Sequence, residues 1–213
     1  KYAPAASAIE KLAGGSDIRL QKSVLYALGE IGATSSQSIL ANAAKAVAYQ
    51  YDRTNATSSY LRYLSRLNEN GQSDIAEKAA LELVNKATAA NQTPVRSAGL
   101  KLYSDIKKRE AVPVLVKQTL TSSDAKYREA ALALGQKFMM AEGALPWTAA
   151  LATAKPNVAT EIVTMLGNAK ALDALPAVTK QLTSKNAGVK LAAIQAVAKI
   201  GQEKSLPALL GLL

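Results

Sequence analysis

The 213-residue chain contains no cysteine and no histidine. Disulfides, thiolate nucleophiles and zinc held by Cys or His are therefore excluded within it, and the commonest general base is missing. Aromatic residues make up only 5% of the chain. No apolar run approaches the roughly 20 residues that a membrane span requires. There is no G-x-G-x-x-G, no Walker lysine loop and no G-x-S-x-G, and the carboxylates are scattered rather than paired. Catalysis is not expected from this segment, and the sequence calls for no cofactor and no metal.

What is present is small and helix-forming. Hydrophobic residues account for 49% of the chain, with Ala, Leu and Val the main contributors. Such a set suits close packing of helix on helix better than a β-sandwich. Lys and Arg number 26 against 16 Asp and Glu, a formal net charge of +10. That balance permits binding to nucleic acid or another polyanion, and a basic solvated surface produces the same number.

Self-comparison reveals a repeat. Val95-Arg96-Ser97-Ala98, Tyr127-Arg128-Glu129-Ala130, Val158-Ala159-Thr160-Glu161 and Val189-Lys190-Leu191-Ala192 align, with their leading residues 32, 31 and 31 apart. Each opens a helical pattern whose later apolar positions, such as Leu100, Leu132, Val163 and Ile194, keep one face of a 3.6-residue helix apolar. A second marker coincides with the first. Pro113, Pro146, Pro176 and Pro207 fall 18 or 19 residues after those leading positions, each before an apolar stretch. Proline suits the first turn of a helix, where its missing N–H would have no partner. Each unit thus reads as an A helix, a short turn and a Pro-started B helix.

Earlier in the chain the unit is less regular. Residues 20–32 match residues 189–201, and Ile39-Leu40 then opens a B helix without proline. Residues 58–67 and 75–87 form two more helical patterns, divided by Asn68-Glu69-Asn70-Gly71. Asp17, Thr93, Asp124 and either Ser73 or Asp74 are the expected helix caps. The reading is all-α: an α-solenoid, or superhelix, of about six antiparallel hairpins, one array cut from a longer chain. Its units are a half repeat at 1–15 and repeats at about 17–51, 54–91, 93–123, 124–154, 156–185 and 187–213.

The pattern V-R-x-A-x-L, then Ile-Gly as at Ile31-Gly32 and Ile200-Gly201, then Val112-Pro113, Leu145-Pro146, Leu175-Pro176 and Leu206-Pro207, resembles bacterial HEAT-like repeats of the phycobilisome-lyase-like type. The resemblance covers residues 17–213 and departs from the pattern over 48–60. It implies a scaffold or binding surface, a few members being enzyme subunits or DNA-binding proteins. The Ala- and Lys-rich character also looks like arrays of bacterial envelope proteins, which implies an extracytoplasmic location.

Candidate binding residues follow from register and chemistry. Lys117-Gln118 and Lys180-Gln181 occupy equivalent B-helix positions, and a repeated Lys-Gln pair on an inner face suits an extended polar or anionic ligand. Tyr49, Tyr51, Tyr60 and Tyr63 cluster around a polar stretch, and tyrosine serves both recognition surfaces and cores. Trp147, the only tryptophan, follows Pro146 and is either a platform or a packed first-turn residue. Lys107-Lys108-Arg109 closes an A helix, where the helix dipole favours cations. The leading function is a non-catalytic interaction scaffold for a protein partner or attached domain. A nucleic-acid-binding solenoid with a basic concave face and a carbohydrate-associated module are the alternatives. The end helices are expected to expose apolar faces and self-associate; strict monomers at high concentration in size exclusion with light scattering would count against that.

Overall fold

The computed structural model describes residues 3–139 and 143–201. Among them the chain is an all-α solenoid of antiparallel hairpins, with twelve α-helices and no strand. It divides into two compact units, Lys1–Lys107 and Lys108–Leu213. Among the described residues no helix is long and apolar enough to cross a membrane.

The first unit contains α1 (Ala3–Glu10), α2 (Ile18–Ile31), α3 (Gln37–Ala46), α4 (Ala56–Glu69), α5 (Ser73–Ala89) and α6 (Thr93–Lys107). Helix α2 starts where the Asp17 carboxylate accepts the amides of Arg19 and Leu20 at 2.7 and 3.1 Å. It ends at Gly32, whose φ of 65° lies in the left-handed region and whose N–H returns to the Leu28 carbonyl. At Ile31-Gly32 the signature is therefore a helix stop, whereas Gly201 is itself the last described residue of α12 (Ala187–Gly201). Val24, Leu25 and Leu28 face inward and join Leu40, Tyr60, Leu64, Leu67 and Leu83 in one core. Each such side chain contributes roughly 1.5–3 kcal/mol of burial. Helix α4 is central, packing on α2, α3, α5 and α6. The cap of α5 is Gln72, and Ser73 and Asp74 are its first helical residues instead of its caps. The Ser73 hydroxyl is occupied elsewhere, donating to Asn68 at 2.8 Å.

Glu30 of α2 is clamped by two cations of α4, Arg62 at 2.5 Å and Arg66 at 2.8 Å. The hydrogen bond from Arg66 is the largest influence holding the Glu30 carboxyl below the usual carboxylate range. The tie is thus complete at neutral pH and is lost only as acid protonates Glu30.

The second unit contains α7 (Val112–Thr121), α8 (Ala125–Gln136), α9 (Leu145–Ala150), α10 (Pro156–Asn168), α11 (Leu175–Lys180) and α12 (Ala187–Gly201). Pro113, Pro146 and Pro176 each occupy the first turn of their helix, as their spacing predicts. Pro207 lies outside the described residues. A buried alanine precedes each of these helices, Ala111, Ala144 and Ala174. Asp124 caps α8 as Asp17 caps α2.

Helices α10 and α12 lie in close contact along their length. The contact depends on Gly167: a Cβ built there would stand 2.7 Å from the Ala196 Cβ and 2.8 Å from its Cα. Glycine to alanine inside a helix ordinarily gains about 1 kcal/mol. Here the methyl group meets backbone, so Gly167→Ala should reverse that sign and destabilise by about 1–3 kcal/mol, read from the denaturant midpoint. An unchanged or raised midpoint would show that α10 and α12 are not held this tightly.

Candidate functional site

The residues singled out by sequence are not brought together. Tyr49, Tyr60 and Tyr63 are buried in the core of the first unit, and only Tyr51 stands out, 88% exposed. The rings of Tyr60 and Tyr63 stack with centroids 6.3 Å apart and planes at 16°. Tyr49 follows α3 in the left-handed region, its amide returning to the Ala44 carbonyl at 3.0 Å. The polar stretch that follows is a turn organised by Asp52, whose carboxylate accepts from the amides of Thr54 and Ala56 and from the Thr54 hydroxyl. The cluster packs a helix junction, and three of its four rings are closed to a ligand.

Trp147 is fully buried. Its ring lies over Gly135 of α8, where a Cβ would come within 2.3 Å of it. The indole N–H meets no acceptor among the described residues. Lys117 is exposed, whereas Gln118 is half-buried and accepts the Tyr127 hydroxyl at 3.1 Å. Lys180 ends α11, and Gln181 begins a short 3-10 turn. Helix α9 touches α7 on one side and the turn preceding α11 on the other. The residues in the same register after Pro146 are Ala150, the last of α9, and Leu151, so no continuous ladder of Lys-Gln pairs forms. Lys107 closes α6 and lies 3.5 Å from Glu77, while Lys108 turns out of the helix at φ 53°.

The concave feature of the second unit lies instead between the A helices α8 and α10. It is a groove of about 560 Å³. Its walls carry Lys126, Glu129 and Gln136 from α8 and Thr160, Thr164 and Asn168 from α10; Leu132 and Met165 form an aliphatic floor. Its origin is visible by comparison with the next pair. Positions 136 and 165 correspond, 31 residues earlier, to 167 and 196. Where α10 meets α12 through Gly167 and Ala196, the corresponding positions of α8 and α10 carry the exposed Gln136 and the buried Met165, and both line the groove.

The helices remain joined at one end. Arg128, only 4% exposed, donates Nε to Glu161 Oε2 at 2.8 Å and Nη2 to Oε1 at 2.7 Å; Nη1 donates to the Ser122 carbonyl at 3.0 Å. Glu161 is the largest influence raising the Arg128 pKa, through this hydrogen-bonded pairing. The two parallel bonds fix both distance and angle between the helices. Arg128, the motif arginine of this repeat, is therefore a strut to the next A helix.

Two measurements test these assignments. Glu161→Leu leaves a buried guanidinium without its counter-charge and should cost about 2–3 kcal/mol, whereas Glu129→Leu on the groove wall should cost little. Equal losses would remove the strut. Desolvation raises the Tyr63 phenol to about 12. Since its folded pKa exceeds the unfolded value, its contribution is complete below about pH 10 and disappears as pH rises through the folded value. Tyrosinate absorbance should therefore show a late component coinciding with alkaline unfolding.

The chain has likenesses among known proteins. A family model described as HEAT repeats matches residues 144–213. No curated protein matches the chain. A solved structure of human deoxyhypusine hydroxylase in complex with glycerol is 15% identical, with a TM-score of 0.42, over 97% of this chain and 77% of that one. An engineered protein is 22% identical, with a TM-score of 0.38, over 95% of this chain and 84% of that one. With its antiparallel hairpins and Pro-started second helices the chain is an all-α helical repeat, and its residues 144–213 match the HEAT-repeat model.

Proposed function

We propose that the chain is a non-catalytic interaction module that receives a segment of a protein partner, or of an attached domain, in the α8–α10 groove. The observation that carries this reading is the groove itself, in which Leu132 and Met165 form an aliphatic floor beneath polar walls. Recognition sites combine such an apolar base with a few placed polar groups. Lys126, Glu129 and Thr164 supply a cation, an anion and a hydroxyl without a cluster that would organise chemistry. HEAT repeats generally mediate protein interaction, in keeping with this reading. The phycobilisome-lyase-like resemblance and the hairpin boundaries read from the sequence belong to it as well. The carbohydrate alternative rested on open tyrosine rings, and Tyr49, Tyr60 and Tyr63 are buried.

The test is a displayed peptide library selected on the native chain. Thr164→Arg or Ala133→Arg places a long side chain in the groove from an exposed wall position. Selected peptides should lose at least about tenfold in affinity for either variant, about 1.4 kcal/mol, with the melting temperature unchanged. Peptides that bind native and variant chains equally would put the interaction elsewhere.

A further inference from the structure

The first unit carries a second groove of different chemistry, between α2 and α4. It encloses about 360 Å³ and is lined by Lys22, Ser23 and Tyr26 of α2 and by Asn55, Ser58, Ser59 and Arg62 along α4. Two of these are cations and none is a carboxylate.

The Ser23 hydroxyl donates to the Arg19 carbonyl at 3.0 Å, but the remaining hydroxyl, amide and ammonium donors of this groove are unspent. Ser59 is only 3% exposed, yet its hydroxyl makes no hydrogen bond among the described residues, not even to the carbonyl one turn back. Asn55, the residue before α4, sits in the left-handed region and its side chain caps nothing. The Lys22 ammonium has no ion pair among the described residues. Arg62 is held in place without being consumed. Its guanidinium lies 5.2 Å from the centre of the Tyr26 ring, and Nη1 reaches Glu30 at 2.5 Å. Its Nε and Nη2 make no other bond among the described residues. Tyr26 is 53% exposed and supplies an apolar wall beside these groups.

The count and kind of donors identify the ligand. A carboxylate offers two oxygens and one charge, whereas a phosphate monoester offers three terminal oxygens and a charge of about −1.5 to −2 at neutral pH. The latter matches two cations together with hydroxyl and amide donors. The groove is also short. A nucleic-acid strand needs a row of cations to follow its phosphates, and this one holds a single pair.

We infer that the α2–α4 groove binds one phosphate group displayed on a side chain of a partner protein. Lys22 and Arg62 neutralise it, the hydroxyls of Ser58 and Ser59 complete its shell, and Tyr26 flanks the carbon stem. That the phosphate arrives on a protein rests on the interaction-module reading; binding of the phosphate itself does not.

The experiment is a chemical-shift titration of the whole chain with phenyl phosphate. A phosphoseryl peptide, its unphosphorylated parent and oligothymidylate are then titrated in the same way. Saturable shifts confined to Lys22, Tyr26, Ser58 and Ser59 are the expected result, with the phosphopeptide binding at least about tenfold more tightly than its parent. Ser58→Asp places a negative charge in the groove while suiting the first turn of α4, so the fold should be retained and binding should fall at least about tenfold. Arg62→Gln should also weaken binding, and Thr164→Arg in the other unit should not. Absence of saturable shifts with phenyl phosphate, or undiminished binding by Ser58→Asp, overturns the site. A phosphopeptide no tighter than its parent, or oligothymidylate binding that ignores Ser58→Asp, overturns the partner assignment.

Discussion

A hairpin of two helices cannot bury its own apolar faces, so each must lie against the next. How closely two successive A helices approach is decided by the side chains at their point of contact. Between α10 and α12 the contact is Gly167 on Ala196, and the helices meet backbone to backbone. Between α8 and α10 the same register holds Gln136 and Met165, and the floor between the helices is left open. The ion pair of Arg128 and Glu161 then sets the angle at which that wider pair is held. Neither effect requires a departure from helical geometry. The groove lies where the close glycine contact of the next pair is replaced by larger side chains.

The two grooves differ in what surrounds them. In the second unit, cation, anion and hydroxyl share the walls above a hydrocarbon floor, which suits a mixed peptide surface. In the first, hydroxyl and amide groups stand around two cations, with no carboxylate in the lining. Arg62 illustrates how such a site is prepared. Glu30 holds one edge of its guanidinium and Tyr26 supports its face, so little side-chain freedom remains to be lost when an anion arrives. Glu30 is itself kept ionised by Arg66, so the arrangement does not depend on a narrow pH range.

The fold was largely legible because its markers are local. Proline in the first turn, aspartate at a cap and the glycine of Ile31-Gly32 at a stop act within a few residues of themselves, and the helices begin and end where these occur. The candidate site was not legible in the same way. Tyr49, Tyr60 and Tyr63 have both an apolar body and a polar tip, and only the packing of α3 against α4 decides which end matters. Lys117-Gln118 and Lys180-Gln181 share a register, but the intervening Ala150-Leu151 breaks the row. The grooves depend on which residue of one helix faces which residue of the next. Comparing position 136 with position 167 would have given the signal, glutamine where the following repeat has glycine. Its meaning needs the neighbouring helix.

Trp147 has one more consequence. It is the sole indole of the chain, it lies wholly within the second unit, and the ring rests on Gly135 with its nitrogen unpartnered among the described residues. Its emission colour is therefore a private reporter for that unit, starting from an unusually dry, unbonded environment and shifting red when water arrives. The first unit, rich in phenols and lacking any indole, is silent in that channel. Loss of order in one half of the chain can thus be timed separately from loss in the other, without attaching a label.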